Sequence, residues 1–315
     1  MKASATSLYD LHLHTWWSFD GEIDVESHFR RAQERGVRCL AVTEHNHMDS
    51  VAEVLAVAER YPAIRVIPSA ELTVRTSIGG VDLLCYNLPV PATPGLKALF
   101  ETYRVCQRDL GEQFSKGMQA IGVDFNEKRR REVLELYRPS QMIERQGLTR
   151  PKRAMTLTYF LKQGWVQDAD EFDSLCARAH EAVSGLTFPE VNRVRDVVHE
   201  AGGLIVLAHP PLYCKDADHD QLDLLRTECA LDGIECAHPR VTPDLCRRYR
   251  AYCVEYGLFS TGGSDSHTQT NVDHAFGRHG GEAGWLDELL DRLGESRNTD
   301  SRQHNCPTAP HATRS

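Results

Sequence analysis

The stretch YDLHLHTWWSFDGEIDVESHF, residues 9–29, starts as an apolar strand and places two histidines one residue apart where that strand ends. Side chains two residues apart on a strand point to the same side, so His12 and His14 can reach one ligand together. A hydrophobic core gains nothing from two such imidazoles. The pattern therefore predicts a polar site at the end of this strand, with further ligands supplied by other parts of the chain.

The composition is that of an ordinary soluble globular protein. Its 315 residues suffice for one large domain or for a domain with a sizeable insertion. The net charge of -9, from 36 basic and 45 acidic residues, argues against broad binding to a nucleic-acid backbone but allows a small anionic substrate. The ten cysteines include no CxxC pair and are expected to be reduced thiols of a cytoplasmic protein. Neither a secretory leader nor a membrane span is expected.

Short apolar runs typical of strands alternate with amphipathic runs typical of helices at both ends of the chain. The first helix is predicted over residues 24–36, with Asp24 as its N-cap and Gly36 as its stop, and the second over residues 50–61. Strands are predicted at residues 9–14, 38–45, 65–74, 79–87, 202–210, 233–239 and 257–267.

This order of elements predicts a split domain. Alternation of strands and helices over residues 1–93 and 185–294 favours a parallel barrel or a wound sheet. Residues 94–184 are rich in Arg, Glu and Gln and are predicted to form a helical insertion that caps the barrel. The polar tail, residues 295–315, lacks periodicity and is predicted to be disordered.

Acidic and histidine side chains recur where the predicted strands end. In a parallel α/β barrel these carboxyl ends converge on one face, where active sites lie. Imidazole and carboxylate ligands suit Zn, Fe or Mn, and so many carboxylates indicate more than one ion with a bridging carboxylate. Buried without cations, the carboxylates would repel one another at a large desolvation cost. The residues are His12, His14, Glu44, His45, Glu71, Asp82, His209, His238, Asp265 and His267.

Several motifs resemble those of a known family. DLHLHT followed by Ser18-Phe19-Asp20-Gly21, then TEHN, AELT, LAHP and GGSDSH, are similar in kind and order to the motifs of the polymerase-and-histidinol-phosphatase (PHP) family. The similarity runs from about residue 9 to residue 267. It implies a metal-dependent phosphoesterase with a distorted (β/α)7 barrel, related to the amidohydrolases.

The resemblance also implies two or three divalent ions, Mn, Zn or Fe, and a set of ligands. The implied sites are His12, His14, Glu71 and Asp265 for the first ion, Glu71, Asp82 and His209 for the second, and Asp20, His45 and His267 for the third.

Two positions depart from the family pattern. Family members usually have Asp where this chain has Glu44, and many have His where it has Asp82. Glu44 is therefore expected either to bind an ion, to orient a ligand histidine or to pair with a basic neighbour. Asp82 is expected either to bind the second ion, with a preference shifted toward Mn or Fe, or to hydrogen-bond the backbone at a strand edge.

The cap and the strand ends supply candidates for binding substrate. Thr149, Arg150 and Arg153, in GLTRPKRAMT, match a family segment in which the resemblance implies phosphate binding, and Arg150 is the first candidate for a phosphate clamp. His238 is expected to protonate the leaving oxygen or to bind phosphate. Trp16 is expected to stack on a base or sugar, or only to wall the pocket.

The predicted reaction is hydrolysis of a phosphate ester. Metal ions would lower the pKa of a bound water and neutralise the phosphoryl oxygens. The Ser-x-Asp-Gly form and the Thr-Arg-Pro segment resemble the branch acting on nucleotide phosphates or short RNA ends. The predicted substrate is a small phosphorylated metabolite, such as a nucleotide or nucleoside 3′,5′-bisphosphate, without a membrane partner. Three alternatives remain open: 5′–3′ exonuclease or phosphodiesterase action on short oligonucleotides, amide hydrolysis, or a non-catalytic metal-binding interaction module.

Overall fold

The computed structural model describes residues 7–183 and 187–294, so the predicted disordered tail lies outside the described residues. The strands are β1 (Tyr9–Leu13), β2 (Cys39–Val42), β3 (Arg65–Val66), β4 (Ser69–Thr76), β5 (Gly79–Tyr86), β6 (Leu204–Leu207), β7 (Gly233–Ala237) and β8 (Phe259–Gly262). The helices are α1 (Val25–Arg35), α2 (Val51–Ala58), α3 (Pro94–Ala120), α4 (Glu127–Glu135), α5 (Ser140–Gln146), α6 (Arg153–Gln163), α7 (Ala169–Glu181), α8 (Val191–Glu200), α9 (His219–Cys229), α10 (Pro243–Tyr256), α11 (Gln269–His274) and α12 (Ala283–Arg292).

The described strands form two sheets. The first has the order β1-β2-β3 and is parallel; the second has the order β4-β5-β6-β7-β8 and is mixed. Isolated bridges between Leu13 and Ser266 and between His45 and Glu71 connect the two sheets. The predicted mixed α/β fold is confirmed, whereas a single closed (β/α)7 barrel is not found among the described residues.

A hairpin explains the departure from strict alternation. Only Ser77 and Ile78 separate β4 from β5, and so short a connection can join only antiparallel strands. β5 then pairs with β6 in the antiparallel sense, and the parallel order resumes with β7 and β8. The first sheet and the β6–β8 strands therefore keep the parallel geometry that gathers their carboxyl ends.

The first helix forms where the sequence predicts it. The side chain of Asp24 accepts a hydrogen bond from the Ser27 amide at 2.8 Å, which caps the first turn of α1. Gly36 ends the helix with φ of 70°, a left-handed conformation that favours glycine. The loop from Thr15 to Asp20 therefore lies between the end of β1 and the capped start of α1.

The helical insertion has its own apolar cluster. Met118, Phe125, Phe160 and Phe172 are buried there, apart from the core around the two sheets. Helix α3 belongs to both cores, because its first turns bury Leu96 against the sheets while Met118 near its end lies in the insertion. No helix in the described ranges is long and apolar enough to cross a membrane.

The insertion also contacts the loop after β1 and strand β4. The Tyr137 hydroxyl donates a hydrogen bond to the Phe19 carbonyl at 2.7 Å and accepts one from the Lys152 amide at 2.9 Å. The Tyr103 hydroxyl of α3 donates to the Thr73 carbonyl at 2.8 Å. These contacts place the insertion over the same face on which the predicted ligands lie.

Close packing of β1 on the segment after β8 generates the first prediction. A Cβ at Gly263 would lie 2.3 Å from the Cβ of His12 and 2.5 Å from its backbone nitrogen. Gly263→Ala should therefore lower the free energy of unfolding by about 1–3 kcal/mol, measured by denaturant or thermal unfolding. Gly284→Ala is the control, because no atom lies within 4 Å of its added Cβ. Equal stability of the two variants would contradict the packing described.

Candidate metal centre

Four side chains from both sheets converge on one point: His12 and His14 at the end of β1, Asp265 after β8, and Glu71, which is the third residue of β4 and not at a strand end as predicted. The Nε2 atom of His12 lies 3.4 Å from Glu71 Oε2 and 3.4 Å from Asp265 Oδ1. The Nε2 atom of His14 lies 3.2 Å and 3.3 Å from the same two oxygens. His12, His14 and Glu71 are fully buried. The structure thus brings together the four residues predicted for the first site.

The spacing of these atoms fits the ligand shell of a metal ion. Ligand atoms about 2.0–2.1 Å from a tetrahedral ion lie about 3.3–3.4 Å from one another. His12 Nε2, His14 Nε2 and Glu71 Oε2 are buried and make no hydrogen bond, a state that is costly unless another group binds them. The three residues also form one of the groups whose ligand atoms all lie within 4.8 Å of one another. The residues present therefore fit a divalent cation.

The hydrogen bonds of His14 leave its Nε2 lone pair free. The Ser18 hydroxyl donates its single proton to Glu44 Oε2 at 2.6 Å, so its oxygen can only accept from His14 Nδ1 at 3.1 Å. Glu44 is fully buried and also accepts from the amide and hydroxyl of Thr15 at 3.2 and 2.5 Å. Among the expectations for Glu44, this arrangement matches orientation of a ligand histidine through Ser18.

A residue that the sequence did not single out fixes the ring of His12. Glu235, buried in β7, accepts a hydrogen bond from His12 Nδ1 at 2.9 Å and another from the His209 amide at 2.7 Å. Because Nδ1 donates, Nε2 of His12 keeps its lone pair for the shared centre. The signal in the sequence was an acidic residue in the middle of the apolar run GIECA.

Glu71 also faces a second group of ligands. His209 Nε2 lies 3.0 Å from Glu71 Oε1 and 3.8 Å from Asp82 Oδ2. The Asp82 carboxylate accepts a hydrogen bond from the Tyr213 hydroxyl at 2.9 Å. Glu71, Asp82 and His209 place one ligand atom each within 4.8 Å of the others. Since Oε1 of Glu71 points to this group and Oε2 to the first, its position suits a carboxylate shared by two ions.

The third predicted set lies on the other side of His14. Asp20 contacts His267 and His45 at 3.5 Å each, and the Nε2 atoms of the two histidines are 3.3 Å apart. Asp20 Oδ1 is buried without a hydrogen bond. His267 donates from Nδ1 to the Asp265 carbonyl at 2.9 Å, which leaves its Nε2 free. Burial, together with the nearby imidazole of His14, lowers the pKa of His267 to about 4, so this ring is neutral at pH 7.

Opposite charges offset the cost of burying the rest of the centre. Burial alone would raise the pKa of Glu71, but the imidazoles of His45 and His12 hold it well below its usual range. Burial alone would lower the pKa of His12, but Glu235, Glu71 and Asp265 raise it well above its ordinary value. In the absence of an ion a proton on imidazole therefore balances the carboxylates. Ions and protons compete for the same ligands, so metal binding should weaken as the pH falls.

His238 lies at the edge of the first group. Its Nδ1 accepts a hydrogen bond from the Arg240 amide at 3.0 Å, so its Nε2 carries the proton in the neutral ring. Nε2 then donates to Asp265 Oδ2 at 3.3 Å. His12, His238 and Asp265 also place one possible ligand atom each within 4.8 Å of the others. The observed hydrogen bonds match a ring that orients Asp265 and holds a proton beside the centre.

A cavity of about 300 Å³ opens beside the second and third groups. Asp20, His45 and Asp82 line it from the strand ends, and Arg150 lines it from the insertion. The guanidinium of Arg150 lies 5.6 Å from the centre of the Phe19 ring. A phosphate ester bound in this cavity would therefore contact both the candidate ligands and one arginine.

The structure does not bring the other predicted substrate-binding residues to this cavity. Arg153 makes a bidentate ion pair with Asp173 at 2.6 Å on the outer part of the insertion. Thr149 is buried, and its hydroxyl accepts a hydrogen bond from Arg138 at 3.2 Å. Trp16 packs against the apolar cluster of the first sheet and lines none of the cavities described here.

The clustered His, Glu and Asp side chains could hold divalent ions, and comparison with known proteins shows the family. The PHP domain model matches residues 10–259 of this chain. The chain belongs to the PHP family. The predicted resemblance is thereby confirmed, and with it the prediction of a hydrolase that acts on phosphoric esters.

Three similar proteins are named for the hydrolysis of different phosphoric esters. A phosphoribosyl 1,2-cyclic phosphate 1,2-diphosphodiesterase of Eggerthella lenta is 30% identical over 276 residues, which cover 82% of this chain and 93% of the relative. The 5′-3′ exoribonuclease Rnm of Escherichia coli is 25% identical, with 82% and 85% covered. A 3′,5′-nucleoside bisphosphate phosphatase of Chromobacterium violaceum is 25% identical, with 89% and 92% covered.

Solved structures share the fold. A protein of Bifidobacterium adolescentis described as a metal-dependent phosphoesterase superposes with a TM-score of 0.71 at 20% identity, covering 90% of this chain and 96% of that one. An amidohydrolase of Chromobacterium violaceum, with bound sulfate and no metal, superposes with a TM-score of 0.69 at 21% identity, covering 91% and 97%. The mixed α/β architecture of the chain is thus that of these proteins.

The bond from Glu235 to His12 generates a prediction on metal affinity. Glu235→Ala should weaken binding of the first ion about 10–100-fold, because His12 loses the acceptor that fixes its ring and its lone pair. Competition with a chromophoric chelator measures the affinity, and elemental analysis counts the ions. Glu255→Ala, at an exposed position of α10, is the control. Unchanged affinity in a folded Glu235→Ala protein would rule out this role.

Proposed function

We propose that this protein is a phosphatase that hydrolyses a small phosphate ester, a nucleoside 3′,5′-bisphosphate or a similar nucleotide. One observation carries the proposal: buried ligand atoms of His12, His14, Glu71 and Asp20 that make no hydrogen bond converge beside a cavity that Arg150 also lines. Such a site combines groups that can bind cations with a basic side chain on the wall of one cavity.

The ligand sets follow the three groups described above. Divalent ions held there would supply the positive charge that activates water and neutralises the phosphoryl oxygens. The ions are Mn, Zn or Fe, because imidazole and carboxylate ligands bind all three. The sets are His12, His14, Glu71 and Asp265 for the first ion, Glu71, Asp82 and His209 for the second, and Asp20, His45 and His267 for the third.

The residues of the chain itself divide the remaining work. Glu235 and Ser18 fix the rings of His12 and His14, so that the ligand shell is in place before substrate binds. Arg150, which has no ion pair among the described residues, is available to bind a phosphate oxygen by charge-assisted hydrogen bonds. His238 holds a proton on Nε2 close to Asp265 and can deliver it to a leaving oxygen.

Charge favours a small substrate over an oligonucleotide. The chain carries a net charge of -9, and the one arginine lining the cavity beside the described metal centre is Arg150. A protein that holds several backbone phosphates needs several unpaired basic side chains. Arg153, which could have extended the site, is already paired with Asp173.

The proposal includes the architecture. The two sheets, bridged at Leu13–Ser266 and His45–Glu71, would correspond to the family's distorted (β/α)7 barrel, formed by residues 1–93 and 185–294. Residues 94–184 would be the cap that closes the substrate cavity from above. The contact from Tyr137 to the Phe19 carbonyl supports this role for the insertion.

The reaction is tested with a substrate panel on metal-reconstituted protein. We expect release of phosphate from nucleoside 3′,5′-bisphosphates to exceed that from 5′-monophosphates, sugar phosphates, histidinol phosphate, a cyclic phosphodiester and short RNA. Chelator treatment should abolish the activity, and added Mn, Zn or Fe should restore it. Faster cleavage of RNA ends or of the cyclic diester would reassign the substrate. Full activity after every ion is removed would refute the metal-dependent reaction.

The proposed phosphate contact gives a second prediction for this site. Arg150→Ala should lower kcat/KM by a factor of about 10–150, which corresponds to the loss of about 1.5–3 kcal/mol for a hydrogen bond to a charged group. Steady-state kinetics on the best panel substrate measure the effect. Arg131→Ala, an exposed arginine on α4, should leave kcat/KM unchanged. Equal kinetics for both variants would remove Arg150 from the site.

A further inference from the structure

A second cavity, of about 330 Å³, lies within the helical insertion. Its walls come from α3, from the segment before α6, from the first turn of α6 and from α7. They are largely apolar, formed by Leu110, Phe114, Pro151, Phe172, Cys176 and Val183. A volume at the lower end of the range for small-molecule sites suits a single ring system.

This cavity adjoins the one beside the metal centre. Leu110 and Arg150 line both cavities, so the two are direct neighbours. A substrate whose phosphate contacts Arg150 would have its other end within reach of the second cavity if it passes the Leu110 side chain. The metal centre itself contributes none of the residues that line the second cavity.

Two arginines, one aspartate and one histidine also line this cavity: Arg150, Arg153, Asp173 and His180. Arg153 reaches it from α6, but its guanidinium is bound by both oxygens of Asp173 and lies 5.6 Å from the centre of the Phe172 ring. Among the described residues, Arg150 is the one arginine of this cavity without an ion pair, and the proposed phosphate contact already uses it. A second phosphate placed deeper in the cavity would lie beside apolar walls and the Asp173 carboxylate, with the His180 imidazole as the remaining basic group. A planar heteroaromatic ring would instead bury its faces against Phe114 and Pro151 and direct its polar edge to Gln113.

From this combination we infer that the cavity in the insertion is a nucleobase subsite, which makes the enzyme prefer nucleoside phosphates to sugar phosphates that lack a base. The inference rests on the proposed function for the position of the phosphate. Apolar burial of the base adds binding energy that a bare ribose phosphate cannot supply.

Filling the cavity from α7 and, separately, from α3 tests the inference. Cys176→Phe on α7 and Gln113→Trp on α3 should each raise KM for adenosine 3′,5′-bisphosphate at least tenfold, whereas kcat/KM for ribose 5-phosphate should change less than twofold. Leu161→Phe, at an exposed position of the same insertion, is the matched control. Thermal unfolding confirms that each variant is folded.

A binding measurement separates the subsite from the reaction. Equilibrium dialysis of the metal-free wild-type protein should show adenosine 5′-monophosphate binding at least tenfold more tightly than ribose 5-phosphate, and Cys176→Phe should remove the difference. Equal affinity of the wild type for the two probes, or equal losses for both substrates in the filled variants, would overturn the subsite. A wild type that hydrolyses neither ester would refute the proposed reaction, while the dialysis would still decide the subsite.

Discussion

The buried carboxylate of Glu71 is the constraint on which the arrangement of the centre depends. It is fully buried, one oxygen faces His209, and the other faces His12, His14 and His45. A buried anion is tolerated only beside compensating positive charge. Strands from both sheets must therefore deliver imidazoles to one point, and the bridge from His45 to Glu71 holds the second strand of one sheet against the first strand of the other.

The sequence predicted those features that follow from short-range periodicity. The spacing of His12 and His14 on a strand gave their common direction, and Asp24 and Gly36 marked the ends of the first helix, as the structure has them. Ligands at the ends of different strands could be grouped because parallel strands gather their carboxyl ends. The assignment of His209 to a particular group came from the family resemblance and not from spacing.

Features that depend on contacts distant in sequence were missed or left open. Glu235 looked like an isolated acid in an apolar strand, and only the pairing of β7 with its neighbours brings it to His12, 223 residues away. The contact between Glu44 and His14 through Ser18 could not be predicted, because it depends on the Ser18 hydroxyl donating its one proton to Glu44. Arg153 has the positive charge and the motif position expected of a phosphate-binding residue, but it pairs with Asp173. Asp173 lies on a later helix, and no local sequence pattern predicts that this helix packs beside Arg153.

Helix α3 joins the core of the sheets to the core of the insertion without interruption over 27 residues. At the usual rise this is about 40 Å of continuous hydrogen-bonded backbone. Gly111, in its middle, packs so tightly on Thr149 that an added Cβ would lie 2.6 Å from that residue's backbone. The connection from the sheets into the insertion is therefore one continuous helix. The insertion can move relative to the sheets only together with α3. The distance between the helices of the insertion and the candidate metal centre therefore depends on the position of this one helix.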